Sequence, residues 1–222
     1  MDSASAMLST LTTTENVFLF VPNIIGYARI LLLLISMLSM QHFYVLTSLC
    51  YGLSAALDMF DGLAARHWAQ SSRFGALLDM LTDRCGTLAL VYTLGTFYPS
   101  YAFFFSLMSL IDISMHWLHT HVSLLKGQAS HKGGFKESTP SILRIYYENK
   151  AFLTFMCFIN EAFYGALYVS YFNSGRFYMF YLIAILSFPF AILKSALALL
   201  QGFIAVRDVV QIDTEERAKK EF

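Results

Sequence analysis

The chain has 222 residues, 57% hydrophobic and 14% charged, with a mean hydropathy of +0.56. So little polar surface excludes a water-soluble domain and places the chain among integral membrane proteins. Its 15 basic and 15 acidic residues cancel, so there is no charge excess to draw nucleic acid, and the positions of the charges matter more than their sum.

Residues Met1 to Thr14 are rich in Ser and Thr and carry no Lys or Arg. They lack the basic start of a cleaved signal peptide. Glu15 to Val21 is short and apolar and reads as a segment lying in the membrane interface. Six stretches then reach the ~20 residues that a helical crossing requires. They are Pro22 to Met40, His42 to Arg66, Gly75 to Phe97, Ser100 to Leu125, Lys150 to Phe172 and Phe177 to Val206. The expected fold is an all-α integral membrane protein, with six transmembrane helices and a short interfacial segment at the N-terminus. Residues 1–222 read as a single domain, with 1–21 as the interfacial segment and 207–222 as a tail. No internal repeat stands out. The three cysteines, Cys50, Cys85 and Cys157, lie in apolar segments and are expected to be buried thiols rather than a disulfide set.

An even number of crossings puts both termini on one side. Arg66, Arg73, Lys126, Lys132, Lys136, Arg144, Lys150, Arg207, Arg217, Lys219 and Lys220 collect at the second-to-third hairpin, the fourth-to-fifth loop and the tail. All three belong to that side, while the opposite face carries Arg176. The positive-inside rule makes the basic face cytosolic. Lys219 and Lys220, at the fourth and third positions from the end, resemble a dilysine retrieval signal of endoplasmic-reticulum membrane proteins.

The unusual stretch is Asp58 to Asp83. It reads Asp58-Met59-Phe60-Asp61-Gly62-Leu63-Ala64-Ala65-Arg66, a link of eight residues, then Gly75-Ala76-Leu77-Leu78-Asp79-Met80-Leu81-Thr82-Asp83. Ionised groups at membrane depth are costly and usually functional. Asp58 and Asp61 share one face of a helix, and Asp79 and Asp83 share a face of the next. The polar link His67 to Phe74 reads as a hairpin between antiparallel helices. At ~1.5 Å per residue, Asp58 lies about 12 Å before Arg66, and Asp83 about 12 Å after Gly75. The four carboxylates should therefore meet at similar depth. Together they would repel one another, and Arg66 and Arg84 are too few to offset them. Two divalent cations would balance the charge, and hard oxygen ligands suit Mg²⁺ or Mn²⁺. Paired ions of this kind recur in phosphoryl chemistry. Gly62 and Gly75 offer bare helix surface for a ligand's close approach, and Arg66 has the planar fork that holds a phosphate.

The spacing Asp-x2-Asp-Gly-x2-Ala-Arg-x8-Gly-x3-Asp-x3-Asp, filled by Asp58, Asp61, Gly62, Ala65, Arg66, Gly75, Asp79 and Asp83, resembles the signature of the CDP-alcohol phosphatidyltransferases. The resemblance implies that Asp58, Asp61, Asp79 and Asp83 bind two Mg²⁺ or Mn²⁺ ions, with Asp83 placed beside the metals as general base. It also implies that Gly62, Ala65, Arg66, Ser72 and Gly75 line the pocket for a CDP-activated lipid. Outside the motif, Asn16 to Arg29, Arg73 to Cys85, His116-Trp117-Leu118-His119, Leu143 to Tyr147, Asn160-Glu161 and Arg217 to Lys220 resemble the inositol-accepting eukaryotic branch of the family. Thr139-Pro140 departs from it, where Asn-Pro is expected. The implied substrates are CDP-diacylglycerol and myo-inositol, and the implied assembly is a homodimer among membrane lipid. The alternative within the class is a transferase using glycerol phosphate, serine, choline or ethanolamine.

Inositol presents hydroxyls on every edge, so its pocket needs several polar side chains. Arg144, Lys132 and Tyr146 are the candidates in the fourth-to-fifth loop. Asp112, His116 and His119 recur at helical spacing, which suits a metal site but suits hydrogen bonds between helices better. Arg29, about 10 Å after Pro22, lies near the level of the carboxylates, to touch a phosphate or pair with an acid. Lys194 is deep in the sixth span, where Asp112 is a possible counter-ion. An ion-coupled transporter would instead show repeated, broken helices, and none is evident.

Overall fold

A computed structural model describes residues 16–126, 143, 146, 149–173 and 178–220. Six long helices account for most of them: α1 (Val21–Ser39), α2 (Tyr44–His67), α3 (Arg73–Phe97), α4 (Ala102–Leu125), α5 (Lys150–Asn173) and α6 (Tyr178–Lys220). The described residues contain no strand. Single 3₁₀ turns, Val17–Leu19 and Pro99–Tyr101, precede α1 and α4. With ~20 apolar residues needed for a crossing, α1, α5, α6 and the Pro99–Leu125 stretch are long and apolar enough. The other two, α2 and α3, match them in length at 24 and 25 residues. They fall short in hydropathy because they carry the aspartates.

The predicted hairpin between α2 and α3 is present, but those two helices hardly touch. Instead α1 packs along α2 and also against α3, so the first helix fills the angle between them. Glycines permit this closeness. A Cβ on Gly26 of α1 would lie 2.7 Å from Leu78 of α3, and one on Gly86 of α3 would lie 3.2 Å from Leu33 of α1. Small residues at such crossings let membrane helices approach closely. On the other side, α6 packs on α4 and α5. The core joins the two sides through Leu90, Val91 and Leu94 of α3, Phe105 of α4 and Phe163, Tyr164 and Tyr168 of α5.

Local chemistry fixes the hairpin. The α2 end closes with Trp68 N donating to Ala64 O and Gln70 N to Ala65 O, with Ala69 at φ 53°. That left-handed residue is the usual device for turning a chain out of a helix. Ser72 caps α3, its Oγ accepting from Gly75 N at 2.9 Å. Gln70 Oε1 accepts from Val21 N at 2.9 Å, and Phe18 meets Phe74 edge-on at 5.0 Å. The N-terminal segment is thereby tied over the hairpin.

The stretch expected as a tail continues α6, which runs on unbroken through Val206 to Lys220, and Lys126 at the end of α4 pairs with Asp208 on it. One expectation needs correction. The cysteines are not uniformly buried: Cys85 is exposed, and Cys50 and Cys157 are half-buried, all three free. Cys85 lies on the outward face of α3, where an apolar thiol can face lipid as readily as a core.

The close crossing of α4 and α6 gives a test. A Cβ on Gly202 would meet Met115 Sδ at 2.1 Å and Cβ at 3.3 Å, whereas one on Gly52 would meet nothing within 4 Å. Overpacking costs typically ~1–3 kcal/mol, so Gly202→Val should lower the thermal midpoint of the detergent-purified protein by several degrees. Gly52→Ala should not lower it.

Candidate functional site

The four aspartates converge as their spacing predicts, and what holds them together is Arg29. Its Nη1 lies 2.8 Å from Asp58 Oδ1, 2.5 Å from Asp61 Oδ2 and 2.9 Å from Asp79 Oδ1, and its Nη2 lies 2.5 Å from Asp83 Oδ1. The Arg29 side chain is 2% exposed, Asp61 11%, and the other three about 40%. The guanidinium thus forms the floor of the site, and Asp58, Asp79 and Asp83 rise from it toward open space. Ser54 Oγ donates to the Arg29 backbone carbonyl at 3.2 Å. Neither Arg66 nor Arg84, the two arginines near the motif in the chain, pairs with the four acids in the salt bridges described. Arg84 Nη1 donates to both oxygens of Asp112, at 2.7 and 3.0 Å, so Asp112 pairs with Arg84 rather than with Lys194. Arg66 is exposed, and the tip of its side chain lies 3.5 Å from where a Gly62 Cβ would stand.

The donor set fits a divalent metal. Asp58, Asp61 and Asp79 each bring an oxygen within 4.8 Å of the others, and carboxylate oxygens are what hard divalent cations take. Arg29 supplies in this arrangement the positive charge that such ions would bring. Asp83 lies at the edge of the group, on the second nitrogen of the same guanidinium.

Several cavities border the carboxylates, and two of them meet at Asp79. One, of about 160 Å³, is lined by Asp61, Asp79, Gly62, Ala65, Ser72 and Gly75, with Asn23 and Gln70 completing it. Four of the five residues expected to face the CDP-lipid line it, and the fifth, Arg66, lies beside Gly62. At Gly62 a Cβ would meet only the end of the Arg66 side chain, in ordinary contact at 3.5 Å, while Gly75 is held close, its hypothetical Cβ 2.8 Å from Asn23 Oδ1. Ser72 therefore has a structural task as a helix cap besides its place in the wall. The second cavity, of about 260 Å³, is lined by Asp58, Asp79 and Asp83 on one side and reaches Arg84, Asp112, Lys194 and Tyr146 on the other. Tyr146 is thus brought to the site, whereas Lys132 and Arg144 lie outside the described residues. Asp112 and His116 face this cavity, but neither belongs to a metal-ligand cluster among the described residues.

The sequence reading missed Asn23. Its side chain is buried, its Nδ2 donates to Val17 O at 2.5 Å, and its Oδ1 has no hydrogen-bond partner among the described residues. The available signal was Asn23, Gly26 and Arg29, polar or small residues three apart in an otherwise apolar span, sharing one face of α1.

Comparison with known proteins agrees with this geometry. The family model described as CDP-alcohol phosphatidyltransferase matches residues 19–199. The Drosophila melanogaster protein named CDP-diacylglycerol--inositol 3-phosphatidyltransferase is 45% identical over 215 residues, covering 95% of this chain and 94% of that one. The Homo sapiens protein of the same name is 42% identical over 210 residues, covering 93% and 98%. The Saccharomyces cerevisiae protein of that name is 37% identical over 190 residues, covering 85% of each. No solved structure shows a significant match.

The Arg29 arrangement makes a prediction. Removing one partner from a buried ionic cluster leaves uncompensated charge. Arg29→Ala should therefore lower the thermal midpoint in chelator by the equivalent of up to ~3 kcal/mol, the partial exposure of three carboxylates moderating the loss. Millimolar Mg²⁺ or Mn²⁺ should restore stability to the variant more than it raises that of the unaltered protein, because ligands that bind the folded state stabilise it. A thermal-shift series with and without metal checks both.

Proposed function

The chain belongs to the CDP-alcohol phosphatidyltransferase family, and from that premise we propose that it transfers the phosphatidyl group of CDP-diacylglycerol to myo-inositol, releasing CMP. The observation that carries this reading is the meeting of two cavities across one set of carboxylates, with Asp79 lining both. The relatives' names, at 37–45% identity over most of the chain, supply the acceptor.

In this reading the cavity walled by Gly62, Ala65, Ser72, Gly75 and Asn23 takes the cytidine and its pyrophosphate. Bare glycine surface admits the phosphates closely, the unpartnered Asn23 Oδ1 accepts a hydrogen bond from the nucleotide, and Arg66 closes over the phosphate from the mouth. Asp58, Asp61, Asp79 and Asp83 would hold divalent ions, Mg²⁺ or Mn²⁺, which when bound neutralise the charge that builds on the transferring phosphoryl group. Arg29, beneath the same four carboxylates, would keep them aimed at the ions. In the second cavity an inositol hydroxyl lies against Asp83. The hydroxyl oxygen attacks the phosphorus that carries diacylglycerol, its proton passes to the Asp83 carboxylate, and the bond from that phosphorus to the bridging oxygen breaks, so that CMP leaves with both electrons of the bond. Placement of the two reactants in one water-poor cleft supplies much of the acceleration.

Topology follows the same reading. All six helices cross the membrane, and the hairpin, the α4-to-α5 loop and the end of α6 face the cytosol, where the soluble acceptor is available. The exposed Lys219 near the end of α6 suits retrieval to the endoplasmic reticulum, and the protein works there as a homodimer.

Asp83→Asn tests the chemical assignment. General bases contribute typically about 10²–10⁴-fold, so inositol-dependent CMP release should fall by that factor while CMP binding changes little. Turnover near that of the unaltered protein would remove Asp83 as the base.

A further inference from the structure

The second cavity has a polar wall that the transfer chemistry leaves unused. On the side away from the aspartates it presents Lys194 of α6, the Arg84–Asp112 pair of α3 and α4, Thr154 of α5 and Tyr146. Lys194 lies near the middle of the hydrophobic stretch of α6. No salt bridge joins its ammonium to a carboxylate among the described residues; Asp112, which shares this wall and feels the lysine's charge, is bonded through both oxygens by Arg84. Arg84 uses only Nη1 in that pair, and its buried Nε has no partner among the described residues. Charged groups at this depth are expensive and usually functional. Lys194 and Arg84 both line the cavity that the carboxylates border.

The adjoining cavity, which also touches Asp83 and Lys194, is different. Its deeper polar groups are satisfied by one another: Tyr51 OH donates to Glu161 Oε2 at 2.8 Å and Thr87 Oγ1 to Glu161 Oε1 at 3.0 Å. What it offers a ligand besides is the wall it shares with the second cavity, Asp58, Asp83, Arg84, Thr154 and Lys194.

From this wall we infer that Lys194, with the Arg84–Asp112 pair, binds the ring hydroxyls of an uncharged polyol acceptor and sets which hydroxyl faces Asp83. The inference rests on the inositol reading above and adds the residues that read the acceptor. The chemistry selects the class. Lys194 and Arg84 can only donate, the Asp112 carboxylate can only accept, and the Thr154 and Tyr146 hydroxyls do both. A ligand matching all of them needs several hydroxyls on one rigid frame. A cationic alcohol would be repelled by Lys194 and Arg84 and would find no aromatic cage there. A site built on such polar pairs rejects alcohols lacking the matching groups, because its own groups are then left unpaired. This wall belongs to helices α3 to α6 and to Tyr146, so acceptor recognition does not depend on the loop residues Lys132 and Arg144 alone.

The test compares the unaltered protein with Lys194→Met and Thr154→Val, purified full-length in detergent. CMP release is followed against myo-inositol at saturating CDP-diacylglycerol, and against CDP-diacylglycerol at saturating inositol. A hydrogen bond to a charged group is worth about 1.5–3 kcal/mol, roughly ten- to a hundredfold in affinity. Lys194→Met should raise the inositol KM by at least about tenfold, with the CDP-diacylglycerol KM and CMP binding little changed. Thr154→Val should raise the inositol KM by a smaller factor and stands in if Lys194→Met does not fold. Inositol-induced thermal stabilisation in the presence of CMP should weaken in parallel, a readout that needs no turnover. An unchanged inositol KM in the folded variants, or a loss confined to kcat or to the donor KM, overturns the assignment. If the unaltered protein releases no CMP with inositol, the failure lies with the inositol reading itself.

Discussion

The molecule is built around one electrostatic constraint: four carboxylates must be held together within helices that pack in a membrane. Arg29 meets it. One guanidinium reaches all four acids, Nη1 serving Asp58, Asp61 and Asp79 and Nη2 serving Asp83. A delocalised, planar, permanently charged group is the side chain suited to this task. Its position dictates much of the packing. For α1 to deliver Arg29 between α2 and α3, the three helices must approach closely, and Gly26 and Gly86 remove the side chains that would keep α1 and α3 apart. The sparse contact between α2 and α3 is the other face of the same arrangement, since α1 stands between them.

Cavities of different chemistry open on different sides of the carboxylates. On the hairpin side, small residues and helix ends form a cavity suited to a nucleotide: Gly62, Ala65, Ser72, Gly75 and Asn23. On the opposite side, α3 to α6 contribute cations, a carboxylate and hydroxyls. The two walls differ in chemistry, and the proposed reaction would use one for a ligand bearing phosphates and the other for a ligand bearing hydroxyls. The reaction needs both ligands within reach of the same few oxygens, and Asp79 borders each cavity.

Much of this was legible in the sequence. The spacing of Asp58, Asp61, Asp79 and Asp83 placed all four on facing surfaces, because helix periodicity alone decides that. The glycines and Ala65 announced a bare surface in the same way. What the sequence hid was non-local. Arg29 lies 50 residues from Asp79, and no periodicity relates them, so its service to all four acids appears only once α1 is packed. Arg84 stands next to Asp83 in the chain, yet successive helical residues point in different directions, and Arg84 turns to Asp112, a pairing that its spacing from Asp112 does not announce. The wall holding Lys194 was illegible for a similar reason, since four helices and Tyr146 contribute to it. Hydropathy ends near Val206 while helical hydrogen bonding continues to Lys220, so the apolar stretch marks a possible crossing but not where α6 ends.

The central claim is that these carboxylates join a CDP-activated lipid to inositol, and CMP release by the purified full-length protein tests it most directly. The protein would be given CDP-diacylglycerol and Mg²⁺ or Mn²⁺ with myo-inositol, serine, glycerol 3-phosphate, choline, or no alcohol. The account predicts release that depends on divalent metal and on myo-inositol, with phosphatidylinositol formed in equal amount. Release driven by one of the other alcohols, or no release from folded protein with any of them, would contradict it.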